Sequence, residues 1–196
     1  MKYLFLAFFL GSATLCHAQS TAGGGTGSTV DQTFPIAPQG AEAVQQGQIY
    51  VANQYSDWSQ RCVKGSSAEV EDCAMYQLLK DGDGNSVSEI TILKLPSGGA
   101  AAAGVTVITP LGTLLTAGLG VDVPGGFQRS YPFTWCEAQG CVARFGLTQD
   151  ELGDLKAGDF AIIQLTALAV PDVPILLEMS LSGFTAAWNS LDAQTR

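Results

Sequence analysis

Histidine is all but missing from this sequence. Its single instance, His17, lies in a stretch that reads as a removable leader. Lys2 precedes an apolar run from Tyr3 to Leu10, the apolar character continues to Leu15, and Cys16-His17-Ala18 follows with small residues at the −3 and −1 positions. This pattern predicts a secretory signal peptide over residues 1–18, cleaved after Ala18. Lipidation of Cys16 is the rival reading, and Leu15 weighs against it, because the residue before a lipidated cysteine is normally small. Without residues 1–18 the remainder holds no histidine. That excludes imidazole acid–base catalysis, Ser-His-Asp and Cys-His arrangements, and any zinc site with a histidine ligand.

Long apolar runs and cations are scarce too. Beyond the leader no stretch reaches about 18 apolar residues without polar or glycine breaks, so no integral membrane segment is expected after cleavage. Nine Lys+Arg stand against eighteen Asp+Glu, a net charge of −9. The leader carries Lys2 and no acid, so its loss takes the charge to −10. Such a chain repels nucleic acid and anionic lipid. A scattered acidic surface also keeps an exported protein soluble.

Cysteine is sparse but patterned. Of five cysteines, Cys16 leaves with the leader. Cys62, Cys73, Cys136 and Cys141 remain, an even set suited to an oxidising compartment. Trp135-Cys136-Glu137-Ala138-Gln139-Gly140-Cys141 reads as a disulfide-closed hairpin tip. Residues 127–135 before it favour strand, residues 141–145 after it alternate, and the intervening length suits a hairpin loop. A zinc site needs about four Cys or His ligands, and a thioredoxin-type pair would be C-x-x-C at a helix start. Four cysteines allow three connectivities. Cys62–Cys73 and Cys136–Cys141 are favoured because each pair brackets its own loop.

Residues 19–46 read as a flexible linker. They hold Gly23-Gly24-Gly25-Thr26-Gly27-Ser28, Pro35 and Pro38 with few large apolar side chains, too little to offset chain entropy. No strand precedes the glycines and no helix or lysine follows, so they are not a phosphate loop. Residues 47–196 form a single domain on this reading. Strands are expected over 49–51, 55–63, 73–79, 87–95, 105–109, 119–123, 127–135, 141–145, 160–166 and 175–181, some of them merging. Asp81-Gly82-Asp83-Gly84-Asn85-Ser86 resembles the start of a calcium loop. Ser86 stands where glycine is needed and Ile92 where glutamate is needed, so a plain hairpin turn is expected. Gly118-Leu119-Gly120 lacks the strand–helix surroundings of a dinucleotide fingerprint. Residues 148–158 carry helix marks: Thr148 to cap, Asp150 and Glu151 in the first turn, Lys156 near the end and Gly158 as the stop. Capping and solvation, rather than acid chemistry, account for Asp150 and Glu151. A short helix is expected from 184 to about 191. Eight or nine short strands with frequent turns and one or two short helices predict an all-β, antiparallel β-sandwich.

Several segments, taken in order, resemble the invasion-associated locus B family of alphaproteobacterial exported proteins. They are Tyr55-Ser56-Asp57-Trp58 with Cys62 and Cys73, Thr109-Pro110-Leu111-Gly112, Cys136 to Cys141 with Val142-Ala143, and Ser182-Gly183-Phe184-Thr185-Ala186-Ala187. The resemblance implies a periplasmic or envelope-associated β-sandwich, with some members linked to host-cell invasion, and it supplies no catalytic residues. The expectation is therefore a non-enzymatic exported domain, periplasmic, outer-membrane-associated or secreted. It would bind an unidentified envelope or host protein, with no catalytic residue, metal ligand or cofactor assigned. A small-molecule or polysaccharide-binding module is the alternative, in which Trp58, Trp135 and Trp188 could serve as stacking platforms, although a core or edge role is the expectation for each. An enzyme working with carboxylates alone, as glycosidases do, would need an acidic pair within a cleft.

Overall fold

A computed structural model describes residues 44–65 and 71–192. The expected leader and the glycine run lie outside the described residues. Eleven strands and two helices follow one another as β1 (Ile49–Tyr55), β2 (Trp58–Val63), β3 (Cys73–Lys80), β4 (Ser86–Lys94), β5 (Ala103–Thr109), β6 (Leu119–Asp122), β7 (Gln128–Tyr131), β8 (Phe133–Glu137), β9 (Gly140–Leu147), α1 (Gln149–Ala157), β10 (Phe160–Thr166), β11 (Pro174–Ser180) and α2 (Phe184–Asn189). All strand pairings are antiparallel.

The hub is β3. One of its edges carries β4. Its other edge is divided: β2 pairs along Cys73–Tyr76, and β11 takes over through Lys80↔Glu178. One branch therefore runs β1-β2-β3-β4-β5-β9-β8 and the other β11-β10-β6-β7, all within a single sheet. The sheet wraps until its ends almost meet, where the ring of Tyr131 on β7 stacks on that of Phe145 on β9 at 3.7 Å. The expected sandwich is thus one antiparallel sheet folded over its own core, a nearly closed barrel.

Period-two alternation builds that core. Met75, Gln77 and Leu79 point inward from β3, Ser88, Ile90 and Ile92 from β4, and Ala103, Val105 and Val107 from β5. The opposite branch supplies Val121, Ile163, Leu177 and Met179. A fully buried aliphatic side chain contributes about 1.5–3 kcal/mol, so this face carries much of the stability. Leu147, Leu152 and Leu155 join the same core.

Helix α1 begins as its sequence dictates. The Glu151 amide donates to the Thr148 hydroxyl, and the Glu151 carboxylate accepts from the Thr148 amide at 2.8 Å, a complete capping box. The Asp81–Asn85 segment is a hairpin turn between β3 and β4. Asp81 accepts from the amides of Asp83 and Asn85 and from the Asn85 side chain, which holds its carboxyl below the usual range.

Two boundaries differ from the sequence reading. The first hairpin turns at Ser56-Asp57, with Ser56 at φ 51°, so β1 extends to Tyr55. The expected strand over 127–135 divides at Pro132, with β7 pairing β6 and β8 pairing β9. Proline has no N–H to give a ladder, and here it marks the exchange of one partner for another. That division adds one strand, and the described residues hold eleven.

Candidate functional site

Both cysteine pairs are disulfides between directly opposed strand residues. Cys62–Cys73 joins β2 to β3, with Cα atoms 4.1 Å apart. Cys136–Cys141 joins β8 to β9 at 4.0 Å. The second closes a tight hairpin in which Glu137 faces Gly140 and only Ala138-Gln139 turn. A side chain on Gly140 would put its Cβ 2.3 Å from the Thr109 carbonyl, so the hairpin lies flush against β5.

Segments far apart in sequence meet in a second structural cluster. The indole N–H of Trp58 donates to the Ser180 carbonyl at 2.8 Å, the Ser180 hydroxyl donates to Asp57 at 2.6 Å, and the Asp57 amide donates to the Ser182 carbonyl. The Gln77 side chain both donates to the Ser180 carbonyl and accepts from its amide. Trp58 packs edge-on against Phe184 at 5.3 Å. Gly183, at φ 83°, lets the chain pass so close that an added Cβ would sit 2.0 Å from the Tyr55 carbonyl. Tyr55-Ser56-Asp57-Trp58 and Ser182-Gly183-Phe184 therefore clasp the first hairpin onto the end of β11, a structural role.

The three tryptophans separate cleanly. Trp58 is fully buried and Trp188 is 6% exposed, whereas Trp135 is 39% exposed. Only Trp135 has a face open to solvent, and it stands over the guanidinium of Arg144 at 5.7 Å.

Arg144 belongs to the outward face of the β2-β3-β4-β5-β9 sheet. The strand registers set Tyr76, Thr91, Thr106 and Arg144 in one row across that face, with Leu93, Gly104 and Gly146 in the row beside it. Two shallow cavities share Leu93. One, of about 310 Å³, includes Arg61, Tyr76, Asp72 and Glu89 in its wall. There the Arg61 guanidinium lies 3.2 Å over the Tyr76 ring, and the Tyr76 hydroxyl donates to Glu89 at 2.9 Å. Burial, reinforced by the Glu89 carboxylate, raises the Tyr76 pKa. The other cavity, of about 500 Å³, is bounded by Leu93, Leu95, Pro96, Thr106, Phe145 and Arg144, which is its one charged group.

The end of the barrel near the β10–β11 loop is aliphatic. Leu111, Leu115, Leu168, Val170, Val173 and Leu176 are all exposed. The Leu168 amide donates to the Gly112 carbonyl and the Leu114 amide to the Thr166 carbonyl, which fastens the two loops together. Across residues 111–115 and 168–176 the one charge is Asp172.

The perturbed carboxylates have structural partners. Glu71 binds Lys64 at 2.8 Å and accepts from the Tyr50 hydroxyl, and these bonds lower its pKa. Glu151 pairs with Arg129 as well as capping α1. Among the described residues no group of three or more His, Cys, Asp or Glu side chains is placed to hold a metal ion.

The sequence reading missed the aliphatic tip and the outward face. A signal for the first was present, since residues 167–170 form a turn with no polar side chain, whereas turns favour Gly, Pro, Asn, Asp and Ser. The second depends on four successive strand registers, which no local pattern reveals.

Known proteins resemble this chain in sequence and in fold. Two Brucella abortus proteins described as invasion protein B homologs, from strain 2308 and from biovar 1 strain 9-941, are each 25% identical over 142 residues, covering 72% of this chain and 79% of theirs. The crystal structure of invasion associated protein B from Bartonella henselae matches with a TM-score of 0.57 at 22% identity, covering 70% of this chain and 91% of that one. At that identity the likeness is one of fold. The model of the Invasion associated locus B (IalB) protein family matches residues 58–192, from the buried Trp58 to just beyond α2. The chain belongs to the invasion associated locus B family.

Proposed function

We propose that this chain is an exported domain of the bacterial envelope that works by binding a protein partner and performs no catalysis. The aliphatic tip carries this reading. Six exposed aliphatic side chains, five on two hydrogen-bonded loops and Leu176 at the start of β11, with Asp172 as the one charge among them, form the kind of patch that marks an interaction surface. The tip has no lysine, arginine or aromatic side chain, the groups that favour a lipid headgroup layer. A protein surface is therefore the better match. The disulfides suit an oxidising compartment, and the names of the Brucella and Bartonella relatives connect this family with invasion. An envelope or host protein is the partner class that follows.

The test is affinity isolation from envelope extract and from host-cell extract, with the wild-type chain and Leu168→Asp/Val173→Asp compared side by side. Both side chains are exposed, so the variant should melt within about 2 °C of wild type. A partner enriched by the wild type and lost with the variant supports the reading. Identical sets of captured proteins would refute it.

A further inference from the structure

We propose that the outward face of β4, β5 and β9 is a binding groove for an anionic amphiphile, a single carboxylate on an aliphatic chain. Arg144 holds the carboxylate, and the chain lies along Leu93, Leu95 and Pro96. The groove encloses about 500 Å³, within the usual range for small-molecule sites. Its walls are apolar apart from Thr106 and Arg144.

The charge pattern selects the head group. Arg144 donates from Nε to the Thr106 hydroxyl at 3.3 Å and lies beside the Trp135 ring. The two ion pairs among the described residues, Lys64–Glu71 and Arg129–Glu151, do not include it. A guanidinium fixed by a hydroxyl and a ring keeps its terminal N–H groups for a planar carboxylate. The chain as a whole carries −9 and has no general attraction for anions, so this groove is a local exception. The neighbouring cavity differs, because Asp72 and Glu89 accompany Arg61 there. That arrangement fixes the polarity of the ligand: carboxylate at Arg144, aliphatic end toward Leu93 and the second cavity. Arg61 and Arg144 stand on strands four steps apart, about 19 Å along the sheet at about 4.8 Å per strand, so an extended chain has room.

The floor of the groove is kept low. Gly104 on β5 lines it, whereas Gly146 on β9 lies under the Ala101 side chain, which a Cβ there would meet at 2.7 Å. A Cβ on Gly104 would sit 3.2 Å from Leu93 Cδ1, so any larger residue there fills the space the chain would occupy.

Dodecanoate, kept below its micelle concentration, is the probe, titrated into the disulfide-bonded chain with Trp135 fluorescence and calorimetry as readouts. Saturable one-site binding is expected. Dodecanol, which has the chain without the charge, and acetate, which has the charge without the chain, should each bind about tenfold more weakly or worse. Arg144→Gln should weaken dodecanoate about tenfold or more and leave dodecanol unchanged, while keeping the wild-type melting temperature. The fluorescence change should vanish in Trp135→Phe. Leu168→Asp/Val173→Asp should bind dodecanoate as wild type does, which separates this groove from the aliphatic tip. Absence of saturable dodecanoate binding by wild type, or equal affinity in Arg144→Gln, overturns the proposal.

Discussion

Substituting alanine for Gly183 tests the clasp between the first hairpin and α2. Gly183 has φ 83°, and a Cβ there would meet the Tyr55 carbonyl oxygen at 2.0 Å and its carbon at 2.6 Å. Both atoms are backbone and cannot rotate away. Gly84 is a matched control, with φ 85° and nothing within 4 Å of an added Cβ. The left-handed conformation costs an L residue about 1–2 kcal/mol, partly offset by a less disordered unfolded chain. Gly84→Ala should therefore lose about 1 kcal/mol. Gly183→Ala bears the same strain plus a backbone displacement of the overpacking kind, about 1–3 kcal/mol more. A total near 3 kcal/mol corresponds to a fall in melting temperature of about 6–12 °C, against about 2–4 °C for Gly84→Ala. Gly153→Ala should move the other way. It lies within α1 with open space around it, and alanine there gains up to about 1 kcal/mol of helix propensity. Calorimetric melting of the three variants with their disulfides intact is the assay. Equal losses at positions 183 and 84 would mean that the close approach to Tyr55 does not exist, and the account of the clasp would fail with it.

Three further outcomes follow from the same structure. In the chain-entropy treatment Cys62–Cys73 closes a longer loop than Cys136–Cys141, so Cys62→Ala/Cys73→Ala should lose about 3 kcal/mol and Cys136→Ala/Cys141→Ala about 2 kcal/mol; denaturant unfolding that ranked them in reverse would count against that treatment. Burial pushes the Glu151 carboxyl upward, but its bonds to Thr148 and Arg129 prevail and lower its pKa. Its contribution to stability is then complete above the unfolded carboxylate value of about 4.3 and disappears as pH falls through the folded value, so Glu151→Gln should flatten the stability–pH slope below about pH 4.3, and an unchanged slope would show that the cap carries no charge-linked stability. Because Asn85 and the Asp83 amide already occupy the Asp81 carboxylate, millimolar calcium should leave the melting temperature unmoved; a rise of several degrees abolished by Asp81→Ala would identify the turn as a calcium site.

What could be read in the sequence was local. Thr148 and Glu151 announced the helix start, Asp81-Gly82-Asp83-Gly84 the turn, and the spacing of Cys62, Cys73, Cys136 and Cys141 two neighbouring bridges. Each depends on atoms a few residues apart, where backbone geometry leaves few choices. The handover of the β3 edge from β2 to β11 was hidden, because Lys80 and Glu178 are brought together only by the folded core. Arg61 and Arg144 share a face for a similar reason. Alternation says that each points away from the core, and only the registers through β3, β4 and β5 place them on the same surface. Trp58 and Trp188 take the buried role expected of them, while residue type alone could not tell that Trp135 stays exposed.

Among the described cysteines each bridge joins one to the next along the chain, Cys62 to Cys73 and Cys136 to Cys141, over 11 and 5 residues. An oxidant that met the chain from its N-terminal end would find Cys62 and Cys73 before either later cysteine was presented, and Cys136 and Cys141 together afterwards. Each pair needs only its own hairpin, whose strands close in microseconds, far faster than thiols exchange. Correct pairing can therefore precede closure of the barrel.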